Sequence, residues 1–298
     1  MRLTHFASAS VDSGDGLDCT LYGSLSPGRM LRLRVITALI AAPTVIAAIF
    51  LLPILPFAIV FLLLAAMGLL EWANLAGLRS AASKVVYLAG YALLGYQVLQ
   101  VPQYWNEIFA GVVVFWLLAA AVVLTFPASG RVLTQPILVA AGYVVFIGAW
   151  LALVALVAGQ GGPWLLLWLF AVVWSADIGA YFAGRRFGRR KLAVQVSPGK
   201  TWEGAFGGVL LSIVIGMTLG VTLPGLSVLG FNLRVWAAGA LILAVVSVFG
   251  DLFESALKRA RGVKDSGGLF PGHGGMLDRV DSLIAALPCV ALAVAQQQ

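Results

Sequence analysis

PILVAAGYVVFIGAWLALVALVA, residues 136–158, carries no charged side chain from end to end. Apolar runs of about 18 residues or more are long enough to cross the hydrocarbon core of a bilayer. A single segment crosses it as a helix, because a helix satisfies its backbone groups internally. The rest of the chain repeats the pattern. Of 298 residues, 61% are hydrophobic and 10% charged. A soluble domain carries about 25% charged residues. Mean hydropathy is +0.99. The expected fold is all-α, a polytopic integral membrane protein.

On either side of this run, spans are expected at about 35–53, 55–72, 85–101, 108–126, 164–183, 205–223, 233–253 and 282–295, which makes nine. The first two are separated only by the region Pro53–Pro56 and read as a tight helical hairpin. Pro43 falls inside the first, where membrane helices tolerate it. The charges between spans set the orientation. With the N-terminus and Arg29, Arg32 and Arg34 in the cytoplasm, alternation brings Arg79, Lys84 and Arg131 to the same side. The segments Arg185 through Lys200 and Lys258 through Arg279 also fall there, and Arg234 is left as the outside basic residue. A multi-pass protein of a bacterial cell (inner) membrane is expected, its two charged loops on the cytoplasmic face.

Residues 1–29 are polar, rich in Ser, Gly and Asp, and lack the apolar stretch of a signal peptide. They are expected to form a disordered extension, and Met30 is a candidate start. Residues 30–298 then make up the membrane domain. The net charge of +7 reflects basic cytoplasmic loops, so nucleic acid is not expected as a partner. Cys19 and Cys289 lie in a polar tail and an apolar helix, with no zinc-binding spacing.

Three stretches carry groups that packing does not require. In WSADIGAYFAGRRFGRRKL, residues 174–192, Asp177 lies within a span. An ionisable group at that depth costs about 2.5–3.5 kcal/mol and marks a partner or a wet cavity. Asp177, Ala180, Tyr181 and Gly184 share one helix face. In SPGKTWEG, residues 197–204, a phosphate-binding P-loop would need a glycine where Val194 stands. The better reading is a turn at Pro198–Gly199 before the next span, capped by Ser197 or Thr201. Lys200 is then placed to meet an anion.

The third stretch includes SALKRARGVKDSGGLFPGHGGMLDRVD, residues 255–281. Asp251, Glu254, Ser255 and Lys258 fall on one helix face. Arg259, Lys264, Asp278 and Arg279 add charge around a glycine-rich loop whose backbone suits a phosphate. Asp251 and Asp278 flank that loop, and Mg²⁺ is usually held by one or two carboxylates plus substrate phosphates. Such parts suit phosphoryl or nucleotidyl transfer. Asp281 reads alternatively as a cap. His273 is open to three roles: binding phosphate, shuttling a proton, or hydrogen-bonding the loop. Glu71 is open to two, as a helix-end residue or a residue lining the site.

Ser255, Lys258-Arg259, Lys264-Asp265, Phe270-Pro271, His273-Gly274-Gly275 and Asp278-Arg279 together resemble the signature of the phosphatidate cytidylyltransferase family. Asp177 through Tyr181 and Ser197 through Gly204 resemble its upstream blocks, so the resemblance is concentrated at 174–282. It implies transfer of a cytidylyl group from CTP to phosphatidate, giving CDP-diacylglycerol and pyrophosphate for phospholipid synthesis. It also implies a homodimer among membrane lipids, Mg²⁺ on the carboxylates of Asp251 and Asp278, and K⁺ as a candidate second cation. Lys258 and Lys264 are expected to act in catalysis, with Lys200, Arg259, His273, Ser197, Asp177 and Arg279 in substrate binding.

Two rival readings stand beside it. A CTP-dependent lipid kinase would need a base for a hydroxyl, and His273 or Asp265 offers one. The full motif favours the cytidylyltransferase. A transporter would use Asp177 and Asp251 along an ion path, but no inverted repeat is visible and the charge gathers at one face.

Overall fold

A computed structural model describes residues 27–267 and 274–295, with side chains from Leu39 onward. Expectations for the tail through residue 26, for Phe270-Pro271 and for His273 lie outside the described residues. Among the described residues the helices are α1 (Pro27–Leu51), α2 (Ile54–Ala76), α3 (Ala81–Leu99), α4 (Trp105–Leu124) and α5 (Gln135–Ala158). They continue as α6 (Gly162–Phe187), α7 (Trp202–Thr222), α8 (Leu233–Ala260) and α9 (Leu277–Ala295). Each overlaps an expected span, with α1 starting eight residues earlier and α8 running seven residues further than expected. Six stretches, covering α2 and α4 through α8, are long and apolar enough to cross a membrane. The protein is therefore an all-α, multi-pass membrane protein.

Between α6 and α7 the structure corrects the expectation of a turn at Pro198–Gly199. Two short strands, β1 (Lys191–Ala193) and β2 (Ser197–Thr201), pair antiparallel with Lys191 opposite Thr201 and Ala193 opposite Ser197. Pro198 and Gly199 lie in β2, and the turn is at 194–196. A two-stranded ribbon leaves one edge of each strand unpaired, which is where a proline without an N–H is tolerated. The cap alternative resolves to Thr201, whose hydroxyl accepts the Gly204 N–H at 3.2 Å. Glu203 accepts the backbone N–H groups of Arg189 at 3.1 Å and Arg190 at 3.2 Å, fastening the entry to the hairpin.

Packing follows small residues. On α7, Gly204, Gly208, Ser212, Gly216 and Gly220 recur every fourth position and are all buried. A Cβ at Gly208 would stand 2.5 Å from the Ala176 carbonyl oxygen of α6. Lipid tails give no hydrophobic drive for helix pairing, so close backbone approach supplies the contact. α9, whose first turns are charged, nonetheless lies at the centre, against α8, α5, α4, α6 and α2. At Gly250 of α8 a Cβ would stand 2.6 Å from the Asp281 carbonyl oxygen, so this glycine lets α8 and α9 meet. Indoles tie other helices: Trp72 donates to the Leu138 carbonyl at 2.7 Å and Trp150 to the Ala58 carbonyl at 2.8 Å. These join α2 and α5 in both directions.

Candidate active site

The helix face anticipated on α6 opens onto a cleft of about 480 Å³. Asp177, Ala180, Tyr181 and Gly184 line it from α6, Lys200 from β2, and Asp251 from α8. Three segments distant in sequence thus converge on one space. Lys200 Nζ lies 2.7 Å from Asp251 Oδ2, and the two side chains are 26% and 32% exposed. Asp251 also accepts a hydrogen bond from Ser255 Oγ at 3.4 Å. This pair is open enough for either member to exchange its partner for a substrate group or an ion.

About two turns further along α8, at Lys258, the polar groups close up. Lys258 Nζ lies 2.5 Å from Asp278 Oδ1 and 3.2 Å from Glu254 Oε1, and its side chain is 12% exposed. Asp278 Oδ2 accepts the Gly275 N–H at 2.8 Å, the Ser266 hydroxyl at 2.9 Å and the Ser266 N–H at 3.3 Å. Asp278 sits in the first turn of α9, ahead of that helix's apolar stretch. Burial raises its carboxyl, but the hydrogen bonds from Lys258 and from the Gly275 amide outweigh that and hold it down at about 2. Because α9 begins at Leu277, Asp281 lies inside the helix, and the reading of it as a cap is corrected. Its carboxylate accepts the Ser282 N–H at 2.6 Å.

Ser197 lies on β2, away from the cap position it was offered for. Arg259 reaches the Val196 carbonyl at 3.3 Å and the Val263 carbonyl at 3.4 Å, so it clips the hairpin turn to the end of α8. Lys264 and Arg279 are exposed. Arg261, at the end of α8, donates to the Leu133 carbonyl at 3.3 Å. Glu71 resolves as a buried residue of the site's scaffold. It accepts hydrogen bonds from Ser266 Oγ, Met276 N and Leu277 N, each at 2.9 Å. Glu254 was legible as a member of the α8 face but was not assigned a role. Its near-complete burial beside Lys258 makes it part of the same closed network.

Among the described residues no three acidic, histidine or cysteine side chains converge on a point that could hold a metal ion. An ion here would have one or two protein carboxylates and would complete its shell from substrate. That donor set suits Mg²⁺, which keeps few protein ligands and takes phosphate oxygens. Asp251, already facing a cationic ammonium at 2.7 Å, fits as such a ligand. Asp278 fits when the Lys258 ammonium gives up its place.

A family model described as the Cytidylyltransferase family matches residues 32–296. The chain is similar to the phosphatidate cytidylyltransferase of Pseudomonas aeruginosa, with 40% identity over 267 residues, 88% of this chain and 96% of that protein. A second relative of that name, from Haemophilus influenzae, is 34% identical over 286 residues, 87% of this chain and 96% of its own length. A third, from Brucella suis, is 52% identical over 123 residues, 41% of this chain and 43% of its own. Since the match runs from α1 to α9 and takes in every segment that lines the cleft, this chain belongs to the cytidylyltransferase family.

Proposed function

We propose that this protein transfers the cytidylyl group of CTP to phosphatidate, yielding CDP-diacylglycerol and pyrophosphate. The observation that carries the reading is the Lys200–Asp251 pair opening onto the α6–α8 cleft of a membrane protein. A phosphate oxygen of phosphatidate forms a bond to the α-phosphorus of CTP. The bond from that phosphorus to the oxygen bridging the α- and β-phosphates breaks, and pyrophosphate leaves with the electron pair. The nucleophile is already an anion, so the demand on the protein is to bring two polyanions together and offset their charge.

Lys200 and Arg185 meet that demand from the lining of the cleft, which Asp177 shares as a polar substrate-binding group. Lys258, Lys264, Arg259 and Arg279 supply further positive charge around the loop that follows α8, and His273 and Ser197 complete the substrate-binding set. Asp251 and Asp278 hold Mg²⁺, which supplies charge neutralisation at the transferring phosphates, and K⁺ is a second candidate cation. The acyl chains stay in the bilayer while CTP arrives from water.

This reading includes nine membrane crossings, with α1, α3 and α9 as the three beyond the most apolar six. It places the N-terminus and the cleft on the cytoplasmic side of a bacterial inner membrane and the protein in a homodimer. Residues 1–29 precede the membrane domain proper, and 174–282 form its catalytic region. The concentration of Lys and Arg in alternate loops supports the orientation.

The test uses purified protein in bilayer nanodiscs with phosphatidate and CTP labelled at either the α- or the γ-phosphate. Lipid labelled from the α position, with release of pyrophosphate, is the expected result. Lipid labelled from the γ position overturns it in favour of a kinase.

A further inference from the structure

We propose that Glu71, on α2, is a positioning residue for the transfer reaction, acting through Ser266 and Asp278. The proposal rests on the cytidylyltransfer reading and adds to it a residue outside the catalytic stretch at 174–282. α2 is otherwise an apolar helix that contributes no residue to the cleft. An ionisable side chain buried in such a helix is costly, so its bonds reveal its use.

Among the described residues, its three hydrogen bonds all cross to the two stretches that flank residues 268–273. On the near side is the Ser266 hydroxyl, and on the far side are the Met276 and Leu277 N–H groups. These partners are 195 to 206 residues away in sequence. The approach is close enough to exclude side chains. A Cβ at Gly267 would stand 2.6 Å from Glu71 Oε1, and one at Gly275 would collide with Oε2. The two glycines of the motif therefore have a steric reason to be glycine that involves no substrate.

The link to chemistry is the Ser266 hydroxyl, 2.9 Å from both Glu71 Oε2 and Asp278 Oδ2. Its one hydrogen is shared between two carboxylates. Asp278 in turn carries Lys258. A continuous polar path thus runs from α2 to two expected site residues. The Met276 and Leu277 N–H groups, at the start of α9, are donors that the helix itself leaves without acceptors, and a carboxylate is favoured there. Glu71 thereby fixes both the spacing of the loop ends and the direction in which α9 presents Asp278.

Glu71→Gln keeps the size and replaces one accepting oxygen with a donor that faces donors. In the full chain in nanodiscs, KM for CTP is expected to rise about tenfold, the scale of losing a hydrogen bond to a charged group. KM for phosphatidate should stay within about twofold, because the cleft wall is untouched. Amide hydrogen exchange should quicken at Ser266, Gly275, Met276 and Leu277, while α5 keeps its protection. Ser266→Ala removes only the shared hydroxyl and keeps the proposal testable should Glu71→Gln fail to fold. It should show the same selective change at smaller size, and the double variant should lose less than the sum of the two.

Faster exchange spread evenly over α2 and α5, with both KM values unmoved, would make Glu71 a packing residue and overturn the proposal. Local loosening with wild-type kinetics in both single variants overturns it too. If the unmutated chain fails to make CDP-lipid, the reaction reading falls by itself. The exchange measurement then still reports whether Glu71 holds the loop ends.

Discussion

Two lysine–carboxylate pairs lie about two turns of α8 apart, from Asp251 to Lys258, yet their surroundings differ. Lys200 and Asp251 meet on the wall of a cleft, each roughly a quarter to a third exposed, with one further partner. Lys258 and Asp278 are enclosed. Glu254 shares the ammonium, while Ser266 and Gly275 share the carboxylate. An exposed pair contributes little to stability and can exchange partners. An enclosed pair is costly to break because the survivor stays buried. The first pair is thus open to exchange as it stands, whereas the second holds the loop and α9 in place for as long as the Lys258 ammonium keeps its position.

The largest expected effect tests the enclosed side. Lys258→Met leaves Glu254 and Asp278 without their cation, and a loss of about 3–5 kcal/mol in stability is expected. Thermal unfolding in nanodiscs measures it, and a melting temperature equal to wild type would erase the distinction between the pairs. Asp251→Asn tests the open side. Turnover should fall about 10²–10³-fold, the scale of removing one group that supports transition-state charge. Stability should change by less than about 1 kcal/mol. Near-normal turnover in the purified variant would remove Asp251 from the reaction.

Gly208→Val probes the wall that carries Asp177. Its side chain would strike the Ala176 carbonyl, costing about 1–3 kcal/mol. Denaturation midpoints should show it, with KM values altered less than by Asp251→Asn. The smallest effect is expected at Arg259→Ala. It unclips the hairpin turn from α8 at a cost of about 1 kcal/mol. KM for CTP should rise by no more than a few-fold, and a rise of about tenfold or more would give Arg259 a direct substrate contact beyond the clip.

The open side was the more legible in sequence. Asp177, Ala180, Tyr181 and Gly184 fall on one face by helical period alone, and the structure finds them lining one cleft. The same period put Glu254 and Lys258 together on α8. Period reveals a face but not what the face meets. Nothing near Glu71 in the chain points to Ser266 or Leu277, because those contacts depend on how α2 packs beside α9. The β-hairpin was hidden for another reason. Its strands are three and five residues long, and one contains Pro198-Gly199, a pair that ordinarily marks a turn. Arg259 was read by its charge, whereas its geometry is decided by the hairpin turn it reaches.

The burial of α5 bears on how the protein can be handled. In its most apolar stretch 72% of residues are buried by other helices, against 28% in α4 and in α7. A span so enclosed hardly notices whether its surroundings are lipid or surfactant. Among the described residues, α1 packs mainly on α6, and α3 mainly on α2 and α5. Extraction into a short-chain detergent should therefore peel the molecule from α1 and α3 inward. The tryptophans that join α2 to α5 would be the last to change their fluorescence.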